Sequence, residues 1–176
     1  MIETARVLLR RWTAADAEAL FKYASHPEVG PAAGWAPHSS VAESMEIIQT
    51  VFSAPEVYAV VLKETGEPVG SCGIMFADGV HSAAIGESEA EIGYWIGRPY
   101  WGLGITTEVV MALKERAFAD LGVRALWIGY YDGNHGSRRV AEKCGFVYHH
   151  TGPPRSRHWA IFAQSIFLCA AATANP

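Results

Sequence analysis

The sequence predicts a single domain of the α/β (α+β) class. Short apolar runs with the alternation of β-strands are interleaved with segments whose apolar residues recur at helical spacing. No internal repeat and no linker divides the 176 residues, of which half are hydrophobic and 18% are charged. A chain of this length and composition can bury one core, and it lies far from the composition of disordered proteins.

The first part of the chain begins with a predicted strand from Arg6 to Arg11. Thr13 has the character of a helix N-cap, with Asp16 three residues later and apolar residues at helical spacing after it. A Pro- and Gly-rich loop is predicted over residues 26–40. Trp35 lies in that loop, and we interpret it either as the wall of a pocket or as a plug over the core.

The central part carries strong strand signals separated by polar turns, and two of its strands are close enough to form a hairpin. Its predicted elements are a helix that begins at Ser40, strands at Val57–Leu62, Pro68–Phe76 and Glu89–Ile96, and a loose Gly- and Ala-rich connection over residues 78–88.

The last part begins with a Gly-rich turn and a strongly amphipathic helix that ends at Gly122. The elements predicted after it are a strand at Arg124–Gly129, a helix at Asn134–Cys144 and strands at Phe146–His149 and His158–Cys169. The chain therefore carries about seven predicted strands, with helices between them.

Composition excludes several classes of protein. The net charge of −4 argues against a nucleic-acid partner, because proteins that bind nucleic acids normally carry an excess of basic residues. The three cysteines are widely spaced, with no CxxC pair, so neither a disulfide framework nor a zinc clasp is expected. No signal-peptide core opens the sequence and no apolar run reaches about 18 residues. We expect a cytoplasmic protein without a membrane partner.

The segment WIGRPYWGLGITTEVV, from Trp95 to Val110, runs from a strand through a turn into a helix. Gly102 and Gly104 in that turn allow a ligand to approach backbone N–H groups that have no acceptor within the helix. Together with the helix dipole, such donors favour a phosphate or pyrophosphate. Neither the P-loop nor the dinucleotide fingerprint is present, and a tight structural turn is the alternative interpretation.

Three segments resemble the GNAT N-acetyltransferases, and most closely the branch of the ribosomal-protein N-terminal acetyltransferases. The cofactor motif of that family is similar to AEIGYWI followed by PYWGLGITTE, within residues 90–108. TARVLLRRW, residues 4–12, is similar to the opening strand, and NHGSRRVAEKCGF, residues 134–146, is similar to the second motif. The resemblance covers residues 4–149, and the segments occur in the family's order.

The resemblance implies a mostly antiparallel, mixed sheet that is splayed at its centre and flanked by helices, with the pantetheine arm of acetyl-coenzyme A between two parallel strands. It implies acetyl-coenzyme A as cosubstrate and no metal. The family often has Arg or Gln where this chain has Pro99, so Arg98 is not assigned a phosphate contact. The implied cofactor-binding residues are Ile96, Trp101, Gly102, Leu103, Gly104, Ile105, Thr106, Thr107, Asn134 and Ser137.

Glu91 stands at the family position of the carboxylate that takes a proton from the acceptor amine. The alternative is an ordinary strand glutamate paired with a nearby cation. Because an interior strand rarely carries Glu and its neighbours are apolar or aromatic, we favour the catalytic role over a similar role for Glu87 or Glu89.

The sequence leaves more than one candidate for the group that protonates the departing thiolate. Many relatives carry a Tyr at the place of Ala141, so Ser137 is the implied substitute, unless the thiolate leaves unassisted or Ser137 only caps its helix. Asn134 is interpreted as a helix cap, a cofactor contact or both. Tyr130 and Tyr131, expected just past the end of a strand, are alternative acids or pocket-lining residues.

The acceptor is predicted to be the N-terminal amine of a protein or peptide, with a small-molecule amine as the alternative. Trp35, Tyr94 and Tyr130 are the predicted lining of its pocket. A domain that binds acyl-coenzyme A without turnover is the competing class, and pairing with a second copy of the chain is left open. His149 and His150 are not expected to share a metal ion, because adjacent residues of a strand point to opposite faces.

Overall fold

The computed structural model describes residues 1–76, 79–152 and 165–172. The strands, in chain order, are β1 (Ile2–Glu3), β2 (Val7–Arg10), β3 (Val57–Leu62), β4 (Pro68–Met75), β5 (Glu89–Ile96), β6 (Ala125–Tyr131), β7 (Val147–Gly152) and β8 (Ser165–Ala171). The helices are α1 (Ala17–Ala24), α2 (Val29–Ala33), α3 (Val41–Thr50), α4 (Ile105–Glu115) and α5 (His135–Lys143). The predicted bounds of β3 and β5 are confirmed to the residue.

The strands form an eight-stranded sheet in the order β1-β2-β3-β4-β5-β6-β8-β7. The mixed α/β class is confirmed, with one strand more than the seven predicted, because β1 is too short to leave an alternating pattern. The pairs β1–β2, β2–β3, β3–β4, β6–β8 and β7–β8 are antiparallel. The parallel pairing of β5 and β6 joins residues 89–92 to residues 125–128, whereas both strands continue further.

Two other expectations are corrected. The predicted loop over residues 26–40 contains α2, which ends at Gly34 in the left-handed conformation, with φ of 91°. A helix of five residues is too short to show a helical period among the prolines and glycines around it. The strand predicted at Phe146–His149 begins one residue later and continues to Gly152. The predicted start of the last strand at His158 lies outside the described residues.

The chain divides into two compact units, and its description as one domain stays a prediction. The first unit comprises Met1–Gly73 and Tyr94–Val109. Its core lies where α1 and α3 pack on the first strands, and Trp12 is central to it, stacked on Phe52 with 5.2 Å between ring centroids. The Trp12 indole donates to Ser71 Oγ at 3.1 Å, so this large ring is buried without an unpaired N–H.

A partly buried ion pair fixes the start of α1 in the first unit. The guanidinium of Arg10 donates to both carboxylate oxygens of Asp16, at 2.7 and 2.8 Å. The backbone N–H and the hydroxyl of Thr13 donate to the same carboxylate, so the predicted N-cap forms a capping box. Burial alone would raise the pKa of Asp16, but the bonds from Arg10 and Thr13 outweigh it and lower that pKa.

The second unit comprises Ile74–Gly93 and the described part of residues 110–176. Its fully buried apolar side chains come from helices and strands alike: Val110 and Leu113 from α4, Leu126 and Ile128 from β6, Ala141 from α5 and Phe167 from β8. β7 ends the strand order, and its pairing with β8 shifts register between Tyr148 and His150, at a β-bulge.

Among the residues that the structure describes, no helix combines the length and the hydrophobicity that crossing a bilayer requires.

Asp16→Asn is expected to lower the free energy of unfolding by about 2 kcal/mol near neutral pH, because it leaves the Arg10 guanidinium without its anion. The folded pKa of Asp16 lies below its unfolded value of about 3.9, so the stabilisation is present above that pH and is lost as the pH falls through the folded pKa. Urea unfolding of both proteins measures this, and the difference should shrink in strong acid. Asp120→Asn, which removes an exposed pair with Arg116, is the control and should change little.

Candidate active site

The Gly-rich turn of the first unit has an open face at the start of α4. Gly102 and Gly104 both have φ of 77°, the left-handed conformation that favours glycine. The first helical bond runs from Glu108 N to Gly104 O at 3.1 Å, so the N–H groups of the preceding turn have no acceptor within the helix. A Cβ added at Gly102 would meet no described atom within 4 Å, and one added at Gly104 would meet only Arg6 Nη2, at 3.6 Å.

Arg6 contacts this turn and the first turn of α4. Its Nη1 donates to the Leu103 carbonyl at 2.8 Å, and its Nε pairs with Glu108 at 2.7 Å. Glu108 also accepts from the Arg6 backbone N–H and from the Thr4 hydroxyl. Burial would raise the pKa of Glu108, but the bonds from Thr4 and Arg6 outweigh it and lower that pKa. The negative charge in the first turn of α4 is therefore matched by a cation, and the turn fits an anionic ligand.

Sequence reasoning did not assign these roles to Arg6 and Glu108. The two residues are about a hundred positions apart in the chain, and no local spacing signals such a contact. A carboxylate in the first turn of a helix is by itself explained by the helix dipole, so nothing in the sequence pointed to a distant cation.

The other predicted cofactor-binding residues of the first unit lie around the same turn. The Trp101 indole donates to the Ile96 carbonyl at 2.8 Å, which fixes the ring across the turn. Arg98 lies over that ring, 4.8 Å from its centroid, and pairs with Glu28 at 2.9 Å. Arg98 therefore has partners within the protein, in line with its omission from the phosphate contacts. Ile105 is buried, whereas Leu103 is exposed and Thr106 and Thr107 are half-buried on the first turn of α4.

Trp35 packs on the core margin of the first unit. Its ring lies edge-on to Trp95, with centroids 5.6 Å apart, and against Gly30, where a Cβ would come within 2.7 Å of the ring. This packing favours the plug interpretation of Trp35. Tyr94, the second residue of the predicted acceptor pocket, is half-buried on β5.

Glu91, the predicted base, is a buried carboxylate of the second unit, with 2% of its surface exposed. Its Oε2 accepts the backbone N–H of His81 at 2.6 Å, and its Oε1 lies 3.0 Å from His81 Nδ1. A buried carboxylate needs hydrogen-bond partners, and His81 supplies two of them. His81 is the cation that the alternative interpretation required only when its ring is protonated. The catalytic role of Glu91 stays a prediction.

His81 was not singled out by sequence reasoning, although its segment was. It lies in the connection over residues 79–88 that leads into β5, ten residues before Glu91. Burial alone would lower the pKa of His81, but the hydrogen bond and the charge of Glu91 outweigh it and raise that pKa. The only available signal was a histidine in the loop before the strand of the predicted base.

β6 approaches the Glu91 carboxylate through a glycine. A Cβ at Gly129 would lie 3.1 Å from Glu91 Oε1 and 3.0 Å from the Phe167 ring.

Burial, helped by the charge of Glu91, raises the pKa of Tyr131 to about 12, so its phenol stays protonated at neutral pH. The expectation that Tyr130 and Tyr131 follow the strand was wrong: both belong to β6, because pairing with Ile166 and Ser165 of β8 continues through them.

The remaining acidic candidate of β5 has a structural role. Glu89 Oε2 accepts the Trp127 indole N–H at 2.8 Å and the Gly86 backbone N–H at 3.0 Å. The carboxylate thus fixes the loop that precedes β5 and the ring of the neighbouring strand. These contacts support the preference for Glu91 over Glu89.

Asn134 caps α5 in the second unit. Its Oδ1 accepts the backbone N–H of Ser137 at 3.0 Å, so the cap interpretation of Asn134 is confirmed. The capping oxygen comes from Asn134, and the alternative in which Ser137 serves as the cap is wrong. The role of Ser137 as the proton donor to the departing thiolate stays a prediction.

The adjacent histidines do not lie on opposite faces as expected. His149 Nδ1 is 2.9 Å from His150 Nδ1, because the bulge in β7 brings both rings to one side. His150 Nε2 also lies 3.1 Å from Ser82 Oγ. Across residues 1–76, 79–152 and 165–172, no group of three or more His, Cys, Asp or Glu side chains could hold a metal ion. His158 lies outside those residues.

Comparison with known proteins extends these observations. Residues 6–147 match the family described as the acetyltransferase (GNAT) domain. The chain is 30% identical over 128 residues to the uncharacterised N-acetyltransferase p20 of Bacillus licheniformis, a match that covers 70% of this chain and 68% of that protein.

Two solved structures share the fold. One is a Vibrio cholerae protein provisionally described as a ribosomal-protein-serine acetyltransferase, with a TM-score of 0.77, 25% identity, and 97% of this chain and 96% of that chain covered. The other is AAC(6')-Ib in complex with ribostamycin and coenzyme A, with a TM-score of 0.74, 20% identity and coverage of 95% and 94%.

Glu91→Gln is expected to lower the pKa of His81 from above its ordinary value of about 6.5 to below it. Burial, the largest influence on this ring, would then act without the opposing carboxylate. An NMR titration of the imidazole resonances measures the change. Glu142→Gln, which removes an exposed pair with Arg138, is the control and should leave His81 unaffected. A His81 pKa that is the same in wild type and Glu91→Gln would contradict the contact.

Proposed function

Because the chain belongs to the GNAT acetyltransferase family, we propose that it transfers the acetyl group of acetyl-coenzyme A to the N-terminal amine of a protein or peptide, by direct attack in a ternary complex. The observation that carries the proposal is the open Gly102–Gly104 turn at the start of α4, with Arg6 beside it. It offers backbone donors and a positive dipole end to the pyrophosphate of the cosubstrate.

The residues present fit this cosubstrate. The turn has glycine where a side chain would come between the ligand and the backbone amides, and the acidic residue in the first turn of the helix is matched by Arg6. The parallel pairing of β5 with β6 ends at Ile92 and Ile128, and a backbone donor to the thioester carbonyl at that point would contribute roughly 3–4 kcal/mol. Trp101, Leu103, Thr106 and Thr107 complete the proposed binding segment, and Asn134 with Ser137 supplies a second one.

The chemistry of the amine favours an N-terminus over a lysine side chain. An α-amino group has a pKa near 8, against about 10.4 for lysine, so its deprotonation at neutral pH costs about 3 kcal/mol less. The likeness to the Vibrio cholerae protein supports the same acceptor class. A small-molecule amine is the second candidate, supported by the fold shared with AAC(6')-Ib, which was solved with ribostamycin.

Acceptor screening tests the proposal directly. The protein is incubated with acetyl-coenzyme A and peptides with free N-termini, the same peptides with blocked N-termini and an internal lysine, and ribostamycin. Mass spectrometry is expected to show the gain of one acetyl group on the free N-terminal peptides, together with release of free thiol. Acetylation of ribostamycin alone would favour the second candidate. A rise in melting temperature with acetyl-coenzyme A, without any product, would contradict the enzymatic role and favour a binding module.

Gly104→Val is expected to raise the KM for acetyl-coenzyme A at least about tenfold, a loss of roughly 1.4 kcal/mol, because the branched side chain lies over the turn that receives the phosphates. Steady-state kinetics at saturating acceptor measures it. Gly122→Val is the matched control: Gly122 also has positive φ, 66°, with no described atom within 4 Å of an added Cβ, but it lies after α4. Equal KM values in the two variants would contradict the assignment of the turn.

A further inference from the structure

We propose that His81 is the general base of acetyl transfer and that Glu91 acts through it as a positioning residue. The inference deepens the proposed function and rests on it. It reassigns the proton acceptor from the carboxylate, which the sequence indicated, to the imidazole beside it.

Accessibility separates the two groups. The Glu91 side chain is 3% exposed, and each of its oxygens faces a nitrogen of His81, the backbone N–H at 2.6 Å and Nδ1 at 3.0 Å. The His81 side chain is 23% exposed. A proton that leaves an acceptor amine therefore reaches the imidazole more readily than the carboxylate beneath it. β6 also comes close to this carboxylate, since an added Cβ at Gly129 would lie 3.1 Å from Glu91 Oε1.

The contact also determines which ring nitrogen acts. Because Nδ1 faces Glu91 Oε1, the neutral ring carries its hydrogen on Nδ1 and its lone pair on Nε2. A buried carboxylate that holds an imidazole in one tautomer and stabilises the imidazolium is the arrangement that activates histidine bases in hydrolases. The same physical requirement is met here by a strand glutamate and a loop histidine.

The charges around the ring strengthen it as a proton acceptor. Burial alone would lower the pKa of His81, but the hydrogen bond and the charge of Glu91 on β5 outweigh it and raise that pKa. Tyr131 on β6, which also interacts with Glu91, has a raised pKa, so its phenol is uncharged at neutral pH. A carboxylate that stabilises the imidazolium favours proton uptake by the imidazole.

The proposed step is balanced in atoms and electrons. The amine nitrogen forms a bond to the thioester carbonyl carbon while one of its protons passes to His81 Nε2. The carbon–sulfur bond then breaks and its electron pair stays on sulfur. The imidazolium gives up its proton as the thiolate takes one, so that amine and acetyl-coenzyme A yield the amide and the free thiol. His81 and Glu91 end in the states in which they began.

Three variants test the assignment: His81→Gln, His81→Ala and the control His26→Gln, which changes a histidine outside this cluster. In His81→Gln, kcat is expected to fall about 10²- to 10⁴-fold, with an unchanged KM for acetyl-coenzyme A. The rising limb of the kcat–pH profile that His81 produces should disappear. The His26→Gln protein should match wild type in both measurements.

Chemical rescue separates catalysis from structure. Added imidazole should restore acetylated product at least about tenfold in His81→Ala and should have no such effect on wild type or on His81→Gln, whose side chain occupies the space. Product is measured by mass spectrometry, because imidazole itself can release thiol from a thioester. A merely structural His81 would lower thermal stability without a rescue.

The outcomes distinguish this inference from the function on which it rests. If wild type acetylates no amine, the proposed function fails, and the base assignment fails with it. If wild type is active while His81→Gln keeps its kcat and its pH profile, only the His81 assignment is overturned. Loss of activity in His81→Ala without any rescue, together with a lowered melting temperature, also overturns it.

Discussion

A carboxylate buried in the sheet is the constraint around which the candidate site is organised. Glu91 lies on β5 with 2% of its surface exposed, and His81 donates to both of its oxygens. Removing His81 would leave a buried carboxylate without these bonds, which costs far more than the loss of a surface pair. The connection before β5 therefore has to bring the backbone N–H and Nδ1 of His81 to the carboxylate, and an added Cβ at Gly129 would crowd Glu91 and Phe167.

The first unit also pairs an acidic residue with a basic one, here at the start of a helix that favours an anionic ligand. The start of α4 presents N–H groups that have no acceptor within the helix and a positive dipole end, yet its first turn also carries Glu108. Arg6 neutralises that residue and bonds to the Leu103 carbonyl, so one side chain both supports the backbone of the turn and removes a repulsion for an anion. In each unit, an acidic residue is thus paired with a residue from another part of the chain: Glu108 with Arg6, and Glu91 with His81.

Sequence patterns were sufficient where a local period carried the information. The strands Val57–Leu62 and Glu89–Ile96 are long, apolar and bounded by turns, so their bounds were predictable to the residue. The capping box at Thr13 and the cap at Asn134 are likewise local features. The family motifs indicated the Gly-rich turn and Glu91 for the same reason, since each occupies a short, continuous segment.

Long-range and irregular features escaped prediction because no period encodes them. The Arg6–Glu108 pair and the contact of His81 with Glu91 depend on tertiary proximity. The bulge at His149 breaks the alternation on which the opposite-face argument depended. The same bulge bears on the edge of the sheet. β7 ends the strand order with Val147 and Tyr148 exposed, and a bulged strand offers an incoming strand a less regular row of donors and acceptors, a feature that opposes pairing between sheet edges.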